Sequence, residues 1–211
     1  CPHGPIVLKD GRYLHVGRAF SIERTDIPRE HETNELPEGI YYQFSNDGYT
    51  WTEPKLIPID YKNDLYCEPH VTQLNNGEVL VGIRFHPDFN HGIMKTVGIV
   101  SKNNISSWGE PFFFDIDGMP PHFFRHSSGA IIMTYGKRTE PRSEMAIVSF
   151  DDGKTWSKPT VISKFSDSGD LGYPSSVELN DGKILTAYYQ HEVGEVNCIK
   201  YTIWSLDEKE K

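Results

Sequence analysis

Several residues of this chain could do chemistry, and their placement says more than their number. Arg84 closes the otherwise apolar run Val79 to Ile83, so its guanidinium must reach water or an anion at the strand's end. His3, His70 and His122 head three β-rich runs that resemble one another, and a repeating fold would bring them to one axis. Imidazoles meeting there could contact a sugar or hold a metal, and chain spacing does not decide between the two. Neither a metal nor a cofactor is expected. Arg138 and Arg142 lie in Lys137-Arg138-Thr139-Glu140-Pro141-Arg142, a charged loop whose plain reading is a solvated face. His86 and His91, in Phe85-His86-Pro87-Asp88-Phe89-Asn90-His91, read as loop decoration. Cys1, Cys67 and Cys198 form an odd set without metal-type spacing, so neither a disulfide framework nor a zinc site follows.

The charge balance excludes some partners. Twenty-one Lys and Arg against 30 Asp and Glu give a formal net charge of -9 over 211 residues. Nucleic acid and anionic membrane surfaces attract the opposite sign, so neither is expected as the main partner. No apolar run approaches the roughly 18 residues of a membrane-crossing helix. Eighteen Gly, 14 Pro, 11 Tyr, 11 Phe and 4 Trp favour turns and strands over helices.

The elements that must position these residues repeat. One unit is an apolar strand, a Gly turn and a second apolar strand, with glycines at Gly11, Gly77, Gly129 and Gly182. Asp-Gly or Asn-Gly between β-rich runs marks a hairpin, because the turn needs positive φ. The intervals hold a second hairpin, clearest as Ser149-Phe150-Asp151-Asp152-Gly153-Lys154-Thr155-Trp156. Weaker copies end at Trp51 and Trp108, and Pro follows each Trp by three residues, at Pro54, Pro111 and Pro159.

The pattern Ser-x-Asp-x-Gly-x-Thr-Trp resembles the Asp box of sialidase-like β-propellers. The copy ending at Trp156 matches every fixed position. The Trp51 copy loses its Ser and Asp, and the Trp108 copy loses its Asp and Gly. The resemblance implies an all-β, six-bladed sialidase-type propeller, of which residues 1–211 make about four blades, near 1–58, 59–114, 115–163 and 164–211. The fourth shows three strands, and the abrupt start at Cys1 reads as the inside of a longer protein with about two blades upstream. A closed four-bladed ring is the competing expectation.

Residue roles follow from the same resemblance. Cys67-Glu68-Pro69-His70-Val71 through Gly82-Ile83-Arg84 is similar to the family segment with a Glu before the inner strand and an Arg after the next. Glu68 would activate the nucleophile and Arg84 would grip a substrate carboxylate. Leu171-Gly172-Tyr173-Pro174 resembles the segment presenting the nucleophilic Tyr, here Tyr173. Arg138 or Arg142 would supply a second Arg, and His3, His70 and His122 would contact sugar. A neutral Tyr suits an anomeric centre that carries a carboxylate, since a carboxylate nucleophile would meet like charge. Arg suits the substrate carboxylate because its planar fork makes paired, charge-assisted hydrogen bonds. The family's acid/base Asp has no clear counterpart; Asp26 and Asp64 sit in loops that single out neither.

The function expected is therefore an exo-acting glycoside hydrolase on sialic acid or a related acidic sugar, extracellular or periplasmic as the family's substrates imply. A non-catalytic carbohydrate-binding propeller and a lyase using His as base and Tyr as acid are the alternatives. Fold alone cannot choose among them.

Overall fold

The computed structural model describes residues 3–19, 36–60, 64–191 and 196–206. Asp26 and Cys1 lie outside them. The described residues form four antiparallel sheets in chain order, with no α-helix among them. The first blade comprises β1 (Ile6–Val7), β2 (Tyr13–Ala19), β3 (Gly39–Ser45) and β4 (Lys55–Leu56). The second runs β5 (Leu65–Gln73), β6 (Val79–His86) and β7 (Lys95–Lys102). Its short β8 (Ser107–Trp108) and β9 (Phe112–Phe113) both pair with β7. The third holds β10 (Met119–Arg125), β11 (Ile131–Lys137), β12 (Ser143–Ser149) and β13 (Thr160–Val161). The fourth has β14 (Leu171–Glu178), β15 (Ile184–His191) and β16 (Asn197–Trp204). This is a four-bladed β-propeller arrangement.

Apolar side chains on the blade faces explain the stacking. Leu14, Val16, Ile40 and Tyr42 of the first blade pack against Val71, Val79, Val81 and Ile83 of the second. Leu80 is wholly buried, and Leu74 of the second blade joins Phe123, Ile131 and Met133 of the third in another cluster. Ile132, Ala146 and Val148 of the third blade meet Ile184 of the fourth in the last. The opposite face of the fourth blade is bare. Val177, Ile199, Tyr201 and Ile203 are all about half exposed or more, with Ile199 at 84%.

The peripheral Asp boxes are held by their own backbone. Asp151 accepts from the amides of Lys154 and Thr155 at 3.1 and 2.8 Å, and Ser149 accepts from that of Gly153 at 2.8 Å. The Trp51 copy does keep its Ser and Asp, one residue closer to the Trp. Ser45 accepts from the amide of Gly48, and Asp47 from those of Tyr49 and Thr50. A one-residue deletion in the turn hid them from a template of constant length. In the Trp108 copy, Glu78 of the facing hairpin does the work of the absent Asp. It accepts from the Ser101 hydroxyl at 2.5 Å and from the amides of Asn104 and Ile105.

Three inner strands carry the same irregularity. Pairing slips between Cys67 and His70 in β5, between Met119 and His122 in β10, and between Gly172 and Ser175 in β14. Each slip contains an X-Pro pair: Glu68-Pro69, Pro120-Pro121 and Tyr173-Pro174. Such bulges re-aim a side chain out of the ladder. Glu68 and Tyr173 take left-handed backbone there, with φ of 48° and 52°, a region L-residues avoid. They therefore hold the same structural position two blades apart.

Close backbone contact sets the fourth blade on the third. A Cβ on Gly136 would lie 2.9 Å from the Cα of Gly172 and 3.3 Å from the Met119 carbonyl oxygen. Neither neighbour is a flexible side chain. Gly136→Ala should therefore lower stability by about 1 to 3 kcal/mol through overpacking. Urea denaturation of the two proteins checks this, and an unchanged midpoint would contradict the close contact.

Candidate active site

The two bulges converge. The Tyr173 hydroxyl donates a 2.5 Å hydrogen bond to Oε1 of Glu68, although 105 residues separate them. Arg84 completes the group: its Nη1 donates to Oε2 of Glu68 at 2.8 Å and to the Tyr173 oxygen at 3.4 Å. Arg84 stands opposite Cys67 in the β5–β6 ladder, which puts its guanidinium beside the bulged Glu68. Burial, then the hydrogen bond to Glu68, raises the Tyr173 pKa above the ordinary tyrosine value. With its proton aimed at a carboxylate, the phenol can lose that proton to Glu68 as it attacks. The neighbouring Cys67 thiol is pushed up to about 11 by burial and is a poor nucleophile.

Arg138 joins this group and Arg142 does not. The Arg138 guanidinium lies 5.8 Å from the centroid of the Tyr173 ring, and its Nη2 donates to the Tyr189 hydroxyl at 3.3 Å. It passes close over Gly172, where a Cβ would be in ordinary contact with Nη2 at 3.4 Å. Arg142 is paired with Glu140, and its Nη1 donates to the Asp167 carbonyl at 3.0 Å. Asp64 accepts from the Asp88 amide at 3.0 Å and serves its loop.

Residues that the sequence left aside take part. His86 is wholly buried and belongs to the site's framework. Its Nε2 accepts from Arg84 Nε at 2.9 Å while Nδ1 donates to the Ile93 carbonyl at 2.8 Å, which fixes the tautomer. Its place two residues after Arg84 on one strand, hence on the same face, was the available signal. Tyr189 lies near-parallel to Tyr173 at 5.9 Å and donates to Asp170 at 2.7 Å. Glu144, on β12, is wholly buried, and among the described residues neither of its oxygens has a hydrogen-bond partner. Burial pushes its carboxyl up to about 8 against the pull of Arg138, so it is a neutral acid at pH 7. Arg18 repeats Arg84 in the first blade, 66 residues earlier as Gly11 is to Gly77, and pairs with Glu38.

The three histidines do meet on the axis. Ring centroids lie 4.6 to 4.8 Å apart, with His70 and His122 stacked within 10°. They line a cavity of about 330 Å³ with Ser175 and Ser176. All three are buried, and the Nδ1 atoms of His70 and His122 accept backbone N–H groups of the next blade. A cavity of about 690 Å³ lies elsewhere, between the second and third blades at Phe112 and Trp156, and neither Glu68 nor Tyr173 lines it.

A match to the BNR repeat-like domain family spans residues 3–186. The chain belongs to that family. Among solved structures, this BNR repeat-like chain is similar to a protein of unknown function from Dyadobacter fermentans, at 21% identity and a TM-score of 0.77. The alignment covers 96% of this chain and 52% of that one, so the chain spans about half its length. It is also similar to the endo-arabinase from Bacteroides thetaiotaomicron, at 13% identity and a TM-score of 0.62, covering 97% of this chain and 74% of that one. A third is the α-L-arabinofuranosidase of Fusarium graminearum, at 16% and 0.64, covering 96% and 61%. These likenesses show a propeller fold that glycoside hydrolases also use. No curated relative matches the sequence.

The histidine cluster makes stability depend on pH. Burial, the largest cause, lowers His3 to about 4 despite the nearby Glu68, lowers His122 to about 3, and depresses His70 as well. In the unfolded chain these imidazoles take up protons near pH 6.5, which the folded cluster refuses. Stability contributed by the cluster is thus complete above about pH 6.5 and drains away as pH falls toward 4. Urea midpoints measured from pH 7 to pH 4 should fall across that window. A midpoint flat through it would contradict the buried neutral cluster.

Proposed function

We propose that this chain carries the nucleophilic half of a glycoside hydrolase active site of sialidase type, on a propeller whose full ring has six blades. The carrying observation is the 2.5 Å hydrogen bond from Tyr173 to Glu68 with Arg84 in contact with both. Tyr173 attacks the anomeric carbon and Glu68 takes its proton. A glycosyl-tyrosine forms as the leaving group departs with the acid's proton. Water then attacks the anomeric carbon and gives a proton to the conjugate base of that acid, and Glu68 returns its proton to the departing Tyr173 oxygen. The acid that protonates the leaving group is not assigned among the described residues.

The substrate class is a terminal sialic acid or related acidic sugar, cleaved in exo fashion. Two guanidiniums, Arg84 and Arg138, flank the Tyr173 ring and hydroxyl, and a substrate carboxylate would find its charge-assisted donors there. A neutral phenol is the nucleophile that such an anionic centre tolerates. Substrates of this kind place the protein outside the cytoplasm, extracellular or periplasmic. The six-bladed ring is supported by the bare apolar face of the fourth blade, whose Ile199 and Tyr201 a further blade would cover. A lyase using a histidine base is less well supported, because His70 and His122 already spend Nδ1 on backbone amides.

Turnover of aryl sialosides and aryl α-L-arabinofuranosides by the full-length protein tests this reading. Cleavage of the sialoside is expected, abolished by Tyr173→Phe and reduced about 100- to 10,000-fold in kcat by Glu68→Gln. Retained turnover in Tyr173→Phe, or cleavage of the arabinofuranoside alone, would overturn it.

A further inference from the structure

Glu68 and Tyr173 sit on blades that are not neighbours, so something must set the angle between the second and fourth blades. The apolar faces supply cohesion but tolerate small slips, whereas a reacting pair does not. We infer that His70 and His122 are positioning residues, two hydrogen-bonded pins that carry the registration of Glu68 through the third blade to Tyr173.

The route is short. Glu68 is joined through Pro69 to His70, whose Nδ1 accepts the Phe123 N–H at 2.8 Å. Phe123 adjoins His122, whose Nδ1 accepts the Ser176 N–H at 3.3 Å. From Ser176 the chain returns through Ser175 and Pro174 to Tyr173. Pro69 and Pro174 lock one dihedral each, and both pins begin two residues past a bulge, so the links have little slack. The stacking of the two imidazoles at 4.6 Å, with His3 against both, holds the ring planes.

The chemistry selects histidine for this task. An inner-strand amide that faces the axis has no ladder partner, and leaving it unpaired in a buried place is costly. A neutral imidazole offers one acceptor nitrogen on a rigid ring. Accepting at Nδ1 places the proton on Nε2, so His70 and His122 present N–H groups there and not metal-ligating lone pairs. Between the third and fourth blades the Thr134 and Ser176 hydroxyls share a 3.1 Å hydrogen bond beside the second pin, whereas other ties between the second and third blades lie off this route. Arg125 donates to the Gln73 carbonyl at the far ends of β5 and β10, and Thr96 donates to the Gly118 carbonyl from β7.

The catalytic consequence rests on the roles proposed for Tyr173 and Glu68, whereas the geometric one does not, and two readouts keep them apart. His70→Asn sets an amide oxygen near the position of Nδ1, while His70→Gln carries it out to that of Nε2. Ultraviolet tyrosinate titration of each variant, against the same variant with Tyr173→Phe, reads the ionisation of Tyr173 without any substrate. The Asn variant should keep the raised value, and the Gln variant should move toward the ordinary tyrosine range. With aryl sialoside, kcat should fall about tenfold to a hundredfold in the Gln variant, with KM changed less, and recover in the Asn variant. If Tyr173 ionises alike in the wild type and both variants, or the two variants shift it equally, the pin is refuted whatever the activity. If the wild type cleaves no sialoside, the functional reading fails, and the titration still decides the positioning role.

Discussion

The short hydrogen bond between Tyr173 and Glu68, with Arg84 against both, is the contact on which the site depends. It joins two blades across a third and needs both residues in left-handed backbone, a conformation costing about 1 to 3 kcal/mol at each non-glycine position. Strain of that size persists only where the surroundings over-determine it. Here the surroundings are the prolines within the bulges, the interblade apolar clusters and the close approach of Gly136 to Gly172. The repeat therefore does more than build a scaffold. It presents an equivalent bulge position in each of the last three blades, and two of these bring Glu68 and Tyr173 together.

The similar structures, an endo-arabinase and an α-L-arabinofuranosidase at 13 and 16% identity, share the blades with this chain. The bulge positions of the last three blades hold Glu68, Pro120 and Tyr173, which under the proposed mechanism would be a base, a spacer and a nucleophile. His86 and Tyr189 then orient Arg84 and Arg138, using a fixed tautomer in one case and an Asp170-bound phenol in the other.

Much of this was legible in the chain because the repeat was. The glycine periods placed the hairpins, and the Glu68 and Tyr173 segments stood out by their resemblance to sialidase segments. What escaped has particular causes. The Trp51 box lost one turn residue, so a template of constant length read Ser45 and Asp47 as missing. Arg138 and Arg142 could not be told apart in a charged loop, since their partners, Tyr189 for one and the Asp167 carbonyl for the other, are distant in sequence. His86 reads as loop decoration because its partner, the Ile93 carbonyl, arrives only when the following loop folds back. The histidines' recurrence at the head of three inner strands was visible in the chain, but their convergence and the use of Nδ1 by the next blade's amides depend on three-dimensional register.

Trapping the intermediate tests the central claim most directly. The full-length protein would be treated with a fluorinated acidic sugar bearing a good leaving group, which slows release of the glycosyl-enzyme, and the labelled peptide identified by mass spectrometry. The account places the sugar on the phenolic oxygen of Tyr173. A label on Glu68, or turnover of the natural glycoside with no covalent adduct at Tyr173, would contradict it.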